Sequence, residues 1–358
     1  MIRILSVEAV PISLRLAEGY RIAGASYTEA ENIILKVDAS DGRTGFGCAA
    51  AAEEVTGESH AASLSALRDT LIPLLRESDA RNPGEVAVRA ADLAPGAPAA
   101  RAAVDIALHD LLGRREGLPL ARVLGLRRSR LLTSITLGIS DDRPATIEAA
   151  RRHVAAGFRI LKIKIGEDWE SDARLIRELR AALGPDILIR ADGNQGYSEE
   201  DALQFLEAVA SADLELLEQP TPAADLEALS RLTAASKVPM MADESILAAP
   251  DADRIIERRA AKLVNIKLMK CGGITGALEI TRRTEPAGIG AMIGCNDESR
   301  ISIAAALHFA LAAANVDRAD LDGHLDLVDD PAREGVVIRE GYIMPSGDRP
   351  GIGVLVDL

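Results

Sequence analysis

Three carboxylates stand where three consecutive apolar runs of the chain end. Asp192 ends ILIRAD, Glu218 ends LELLE and Asp243 follows VPMMA. An unpaired carboxylate is costly to bury, so three carboxylates that converge require a cation. All three supply hard oxygen and no His or Cys accompanies them, which predicts one Mg2+ per subunit, with Mn2+ as the second choice.

Lysines interrupt two other apolar runs. Lys162 and Lys164 lie two residues apart in RILKIKIG, and Lys267 lies in LVNIKLMK. The spacing of two places the first two ammoniums on one face of a strand, where each disfavours protonation of the other, and this predicts a lysine base. If Lys164 and Lys267 face each other across a metal-bound substrate carboxylate, each reaches one face of the α-carbon, and the metal stabilises the enediolate formed on deprotonation. Two opposed bases favour racemisation or epimerisation.

Each of these residues also has a structural explanation when it is taken alone. An Asp at a strand end commonly caps the following helix, and a lysine there is commonly solvated. These explanations account badly for the joint pattern, in which inward-facing lysines flank carboxylates at three consecutive strand ends. We therefore expect one site rather than three unrelated caps.

The elements that carry these residues alternate regularly. From about residue 130, β-rich apolar runs alternate with helical segments, and eight strand ends recur every 24 to 28 residues. The eight positions are Thr136, Lys164, Asp192, Glu218, Asp243, Lys267, Cys295 and Asp320. Eight βα units predict a (β/α)8-type TIM barrel, although a doubly wound open sheet also alternates strands and helices. The chain has no glycine-rich dinucleotide turn after the first unit, which favours the barrel, and in a barrel all eight strand ends meet at one mouth.

The remaining sequence predicts a second unit. Residues 1–125 read as strands followed by helices, which is typical of an α+β domain, and we expect this domain to cap the barrel formed by residues 126–330. Residues 331–358 return to short strands and turns, and we expect them to fold back onto the capping domain.

Composition limits the class of protein. The chain has 358 residues, 48% of them hydrophobic and 27% charged, and its 55 acidic residues exceed the 41 basic ones to give a net charge of -14. Such a charge repels polyanions, so we expect a small-molecule substrate and no nucleic acid. No apolar run reaches the roughly 20 residues of a membrane span. Three cysteines without metal-like spacing favour the cytoplasm, and we expect a homo-oligomer of undetermined size.

The motifs resemble a known group of enzymes. KIKIG, ADGNQ, LEQP, ADES and NIKLMKCGG occur in this order, and over essentially the whole chain the sequence resembles the muconate-lactonising subgroup of the enolase superfamily. The resemblance implies Mg2+-assisted abstraction of a proton α to a carboxylate. It also implies that Lys164 and Lys267 are the acid/base pair and that Lys162 helps electrostatically, near the substrate carboxylate.

One short segment separates the activities of this subgroup. Asp320-Leu321-Asp322 resembles the Asp-x-Asp of dipeptide epimerases, where the pair holds the α-ammonium of the dipeptide. Two carboxylates two residues apart share one face and offer paired acceptors to an ammonium, whereas muconate and succinylbenzoate carry no cation. An exposed acidic turn is the alternative explanation. We expect further substrate contacts from Thr136 and from Cys295, Asn296 and Asp297 at the seventh strand.

These features predict a Mg2+-dependent dipeptide epimerase that moves the α-proton of the C-terminal residue of an L,L-dipeptide by two-lysine 1,1-proton transfer. The alternatives are an N-acylamino acid racemase, a muconate-type cycloisomerase, and a barrel that binds a ligand without catalysis. The segment around Ala25 has no arginine to meet a glutamate side chain, although Arg21 lies nearby. Together with Asn296 and Asp297, this favours a polar or cationic substrate side chain.

Overall fold

The computed structural model describes residues 2–358, and its first unit is an antiparallel sheet. The long strands are β1 (Ile4–Ile22), β2 (Ala25–Ala39) and β3 (Thr44–Ala49). Turns at Gly24 and Gly42 connect them, and both glycines have positive φ, which other residues adopt at a cost. The Asp41-Gly42 turn therefore joins β2 to β3.

Helices cover this sheet. They are α1 (Glu53–Thr56), α2 (His60–Ala66), α3 (Ile72–Arg76), α4 (Pro83–Leu93), α5 (Pro98–Glu116) and α6 (Leu120–Val123), with a π-helical turn at Leu67–Leu71 between α2 and α3. The Ala-rich α5 approaches β3 closely, and a Cβ at Gly47 would overlap the backbone of Ala103. Small residues on both elements therefore permit the helix to pack directly on the sheet.

Eight parallel strands form the second unit. After the short β4 (Leu131–Leu132), they are β5 (Ile135–Leu137), β6 (Ile160–Lys164), β7 (Leu188–Asp192), β8 (Leu214–Glu218), β9 (Met240–Ala242), β10 (Leu263–Ile266), β11 (Gly290–Gly294) and β12 (Val316–Asp320). Their spatial order follows the chain from β5 to β12, and a parallel bridge between Thr133 and Ala319 joins the two ends. The predicted eight-stranded barrel is confirmed.

Helices follow the barrel strands. They are α7 (Arg143–Ala155), α8 (Trp169–Leu183), α9 (Glu199–Ala208), α10 (Leu226–Ala235), α11 (Ala249–Arg258), α12 (Leu268–Cys271), α13 (Ile274–Thr284) and α14 (Arg300–Ala312). Several begin at a side chain that accepts a backbone N–H, as Asp142, Ser198 and Asp225 do. The strand-end carboxylates Asp192, Glu218 and Asp243 are not such caps, so they remain available for chemistry.

The C-terminal strands contact both units. They are β13 (Leu327–Val328), β14 (Ala332–Glu334), β15 (Val336–Arg339), β16 (Tyr342–Pro345) and β17 (Val354–Val356). β13 extends the capping sheet beside β1, β16 pairs with β4, and Ile352 donates to the carboxylate of Asp110 in α5. Residues 331–358 thus connect the capping helices to the barrel, while the division of the chain near residue 125 stays a prediction.

None of the helices formed by residues 2–358 combines the length and the apolar character that crossing a bilayer requires.

Candidate active site

The carboxyl ends of the barrel strands gather the residues selected from the sequence. The eight residues that the sequence predicted at the ends of the barrel strands, from Thr136 to Asp320, each lie at a strand terminus or within one residue of it. Lys164 in β6 lies beside Asp192 in β7, which in turn lies beside Glu218 in β8. Because neighbouring strands are parallel and in register here, their polar side chains meet at one mouth.

Lys162 lies at the centre of this cluster. Its Nζ is 3.0 Å from Asp192 Oδ2, 3.0 Å from Glu218 Oε2 and 2.7 Å from Asp320 Oδ2. Burial lowers the pKa of Lys162, but the three carboxylates outweigh burial and raise it well above its usual value. The expectation that a neighbouring ammonium would ease deprotonation is therefore wrong for Lys162, because one like charge cannot offset three opposite ones.

The other two predicted lysines are held by different carboxylates. Lys164 Nζ donates to Asp192 Oδ2 at 2.8 Å and to Asn194 Oδ1 at 2.9 Å. Lys267 Nζ lies 3.0 Å from Asp243 Oδ2. Burial lowers the pKa of Lys267, whereas Asp243 raises it, and the net shift is upward. The two ammoniums thus stand over strands β6 and β10, with three barrel strands between them.

A fourth lysine was missed in the sequence. Lys270 donates to the Asp243 carboxylate, to the Asp243 carbonyl oxygen at 2.6 Å and to the Asn265 carbonyl oxygen at 3.1 Å. Asn265 Nδ2 donates to Glu218 Oε1 at 2.6 Å. A signal for Asn265 was present, because this polar residue lies inside an apolar run and two residues before Lys267, hence on the same face of the strand.

The carboxylate set fits a hard cation. Glu218 Oε2 and Asp243 Oδ2 are buried and accept no hydrogen bond, although the ammoniums of Lys162 and Lys267 lie 3.0 Å from them. Burial, with help from Asp192 and Asp243, raises the pKa of Glu218 to about 8, so its charged form needs further positive partners. Within residues 2–358, no group of three or more His, Cys, Asp or Glu side chains has metal-binding geometry. Lysine ammoniums lie between the carboxylates instead. The donors are all oxygen, as Mg2+ prefers.

Asp320 and Asp322 have different partners. Asp320 accepts from Ser134 Oγ at 2.6 Å and from Lys162 Nζ at 2.7 Å, so both of its oxygens are engaged. Asp322 accepts from the backbone N–H of Thr136 at 2.6 Å through Oδ2 alone. Burial and the neighbouring Asp320 raise the pKa of Asp322 to about 7. Unlike Asp320, Asp322 therefore has no lysine partner within residues 2–358.

The loop after β11 joins the barrel to the capping domain. Asn296 Nδ2 donates to the carbonyl oxygen of Ala50 at 3.1 Å, and Asp297 Oδ2 accepts from Tyr20 Oη at 2.7 Å. Burial raises the pKa of the Cys295 thiol well above its usual value, which disfavours the thiolate form that a nucleophile requires. This loop therefore anchors the capping domain over the barrel mouth.

A cavity of about 1010 Å³ connects these groups. Its lining brings together the predicted lysines Lys162, Lys164 and Lys267, the predicted substrate contacts Thr136, Cys295, Asn296, Asp297, Asp320 and Asp322, and the β1–β2 hairpin of the capping domain. The three predicted metal carboxylates lie beneath it, in contact with the lysines. The cavity therefore brings together three lysines, the carboxylates that contact them and the Asp320–Asp322 pair at one mouth.

Two family models match the chain and together cover most of it. Residues 5–125 match the N-terminal domain of mandelate racemase / muconate lactonizing enzyme, and residues 145–358 match the enolase C-terminal domain-like family. The chain belongs to this family of the enolase superfamily, as its motifs predicted, and it is an isomerase.

Similar proteins have been named for their activities. The chain is 41% identical over 95% of both lengths to the L-Lys-D/L-Arg epimerase of Methylococcus capsulatus. It is 36% identical to the hydrophobic dipeptide epimerase of Enterococcus faecalis, over 98% of this chain and 99% of the relative. A crystal structure of a dipeptide epimerase from Methylococcus capsulatus, complexed with Mg and L-Arg-D-Lys, superimposes with a TM-score of 0.94 at 40% identity and covers 99% of each chain.

Proposed function

We propose that the protein is a Mg2+-dependent dipeptide epimerase that removes and returns the α-proton of the C-terminal residue of an L,L-dipeptide. One observation carries this proposal. The two candidate bases, Lys164 and Lys267, are anchored on Asp192 and Asp243 in the cavity that also holds the available oxygen of Asp322. Similarity to named dipeptide epimerases over nearly the whole chain supports it.

We propose Asp192, Glu218 and Asp243 as the ligands of one Mg2+, for which Mn2+ would substitute. The bound cation would stabilise the negative charge that develops on the substrate carboxylate when the α-proton leaves. Lys162 is buried among carboxylates and its pKa is raised, so it remains charged. It therefore serves as a cationic contact for the substrate carboxylate and not as a base.

Proton transfer falls to the other two lysines. One of Lys164 and Lys267, in its neutral amine form, takes the α-proton from one face of the carbon and becomes an ammonium. The other, in its ammonium form, returns a proton to the opposite face. No proton or electron is gained or lost overall, and the product is the epimer.

Asp322 recognises the far end of the substrate. A free α-ammonium gains a charge-assisted contact with its available oxygen, whereas an N-succinyl carboxylate would place like charges together in a buried site. The names of the relatives include cationic and hydrophobic dipeptides, so family membership alone does not fix the side chain.

The test is a dipeptide screen in deuterated water, read by mass spectrometry. Each exchanged α-proton adds one mass unit, so the readout needs no knowledge of the product. We expect exchange at the C-terminal residue of dipeptides, its loss after EDTA treatment, and its return when Mg2+ is added. Exchange of N-succinylamino acids far faster than of any dipeptide would refute the proposal.

We further propose that the protein works in the cytoplasm as a homo-oligomer. Cys48, Cys271 and Cys295 are all free thiols, which suits a reducing compartment. Size-exclusion chromatography with light scattering measures the oligomeric state, and a mass of one chain at micromolar concentration would contradict the second part.

A further inference from the structure

Two tyrosines cover the cavity in a chain that is poor in aromatic residues. The whole sequence contains 4 Tyr, 4 Phe and 1 Trp. Tyr20 and Tyr27 face each other across the β1–β2 hairpin, with ring centroids 5.3 Å apart and ring planes tilted by 34°. Both rings line the cavity. Half of the tyrosines of the protein therefore lie above the site where the substrate must bind.

Each of these phenols donates to a carboxylate. Tyr20 Oη donates to Asp297 Oδ2 at 2.7 Å, and Tyr27 Oη donates to the carboxylate of Glu54. A phenol with such a partner presents a ring face of more negative potential, which attracts a cation. Aromatic faces bordered by carboxylates are the usual surroundings of a bound organic cation.

Asp297 keeps one oxygen available. Within residues 2–358 its Oδ1 accepts no hydrogen bond, and the carboxylate has no ion-pair partner. Burial raises the pKa of Asp297 to about 6, Asp326 raises it too, and Tyr20, Lys164 and Lys267 oppose the rise. A positively charged group beside Oδ1 would therefore supply the partner that this partly buried carboxylate lacks.

The other charges of the outer wall do not supply that partner. Arg21 is engaged by Asp141 at 3.0 Å and by Glu167 at 3.4 Å. Arg152 lies in α7 beside His153. Burial and Arg152 lower the pKa of the His153 imidazole, whereas Asp326 and Glu18 raise it. The charged neighbours of His153 are thus two acids and one arginine, so they add no net positive charge near Asp297.

We propose that Tyr20, Tyr27 and Asp297 bind a positively charged substrate side chain of the lysine or arginine type. We assign the side chain to the C-terminal residue, because Asp297 lines the same cavity as Lys164 and Lys267, the proposed bases at the α-carbon of that residue. This inference rests on the proposed dipeptide epimerase function and adds the substrate class to it.

A purely structural role is the competing explanation, since the Tyr20–Asp297 hydrogen bond also fastens the hairpin to the barrel. The two roles differ in their substrate dependence. If the hydrogen bond only holds the hairpin in place, its loss lowers kcat/KM for every dipeptide alike. If the residues bind a cation, the same loss changes the ratio of kcat/KM between a charged substrate and its neutral counterpart.

The experiment compares L-Ala-L-Lys with L-Ala-L-norleucine, which has a similar side-chain length and no charge, by deuterium exchange on the wild-type enzyme. We expect kcat/KM to favour the lysine dipeptide by at least about tenfold. The reversed pair, L-Lys-L-Ala and L-norleucine-L-Ala, should show no comparable preference. A ratio below about threefold in the first pair, or a preference confined to the reversed pair, overturns the inference.

Two variants and a control assign the preference to residues. Asp297→Asn should bring the lysine-to-norleucine ratio to near one, and Tyr20→Phe should lower it. Asp141→Asn, which removes an exposed acid from the same cavity wall, should leave the ratio unchanged. An unchanged ratio in Asp297→Asn refutes the site. Exchange of norleucine and lysine dipeptides at equal rates refutes the cation site alone, while no exchange of any dipeptide refutes the proposed function itself.

Discussion

Replacing Asp322 by asparagine is expected to weaken dipeptide binding far more than it affects the chemistry. Asparagine keeps an oxygen for the Thr136 N–H, which now lies 2.6 Å from Asp322 Oδ2, so the loop should hold its shape. What is lost is the negative charge opposite the substrate ammonium. In a desolvated site this loss costs about 2–3 kcal/mol, or roughly 30- to 150-fold in kcat/KM.

The loss should appear mainly in KM. The ammonium lies away from the reacting carbon and is bound equally in the ground and transition states. Asp320→Asn should instead lower kcat, because Asp320 Oδ2 lies 2.7 Å from Lys162 Nζ and holds the cation that meets the substrate carboxylate. The sequence suggested two equivalent acceptors, whereas the contacts give the two aspartates different tasks.

The assay measures epimerisation of one dipeptide and of its N-acetyl derivative, which lacks the ammonium. Asp322→Asn should cost the free dipeptide tens of fold and the acetylated one little. Asp317→Asn, an exposed carboxylate on the same strand, serves as the control. Equal losses for both substrates in Asp322→Asn, or a pure KM effect in Asp320→Asn, would show that this division of roles is wrong.

Three further predictions concern the bases, the buried lysine and pH. Lys164→Ala and Lys267→Ala should each abolish epimerisation while one of them still exchanges the α-proton of one epimer, measured by mass spectrometry; full activity in either variant would exclude the two-base mechanism. Lys270→Met should lower the free energy of unfolding, measured by thermal or urea melts, by about 1–3 kcal/mol, because Asp243 loses a hydrogen-bond donor. The same substitution should weaken Mn2+ binding, measured by electron paramagnetic resonance. Lys270→Arg should restore part of both the stability and the binding. KM for dipeptides should rise as the pH falls below about 7, since protonation of Asp322 removes the charge that binds the ammonium, and a KM that is flat from pH 8 to 6 would contradict this.

The strand ends of the barrel were predictable from the sequence because each apolar run stops at a polar residue. Asp192, Glu218 and Asp320 are the last residues of their strands, and Asp243 and Lys267 follow theirs directly. In a closed barrel, burial on both faces favours apolar side chains up to the mouth, although Lys162, Arg190 and Asn265 are buried polar exceptions within their strands. The same constraint therefore set both the fold and the position of the candidate site.

The partners of these residues were not predictable in the same way. Ser134 reaches Asp320 across the point where the barrel closes, a contact between residues 186 positions apart. Tyr20 reaches Asp297 from the capping domain. Such pairs depend on how whole elements pack, and hydrophobic periodicity carries no information about that. Sequence patterns identified which residues face the mouth but not which of them engage one another.

The charges at the mouth bear on the choice of substrate. Four lysines contact four carboxylates, namely Lys162, Lys164, Lys267 and Lys270 with Asp192, Glu218, Asp243 and Asp320. Two more buried carboxylates, Glu244 and Asp322, lie beside them. Six acids therefore face four lysines, and a divalent cation would balance this set when every acid is ionised. A zwitterionic dipeptide adds no net charge, and its ammonium would lie opposite Asp322. An N-succinylamino acid would add two carboxylates and place one of them opposite Asp322. Charge balance therefore favours a zwitterionic dipeptide as the substrate.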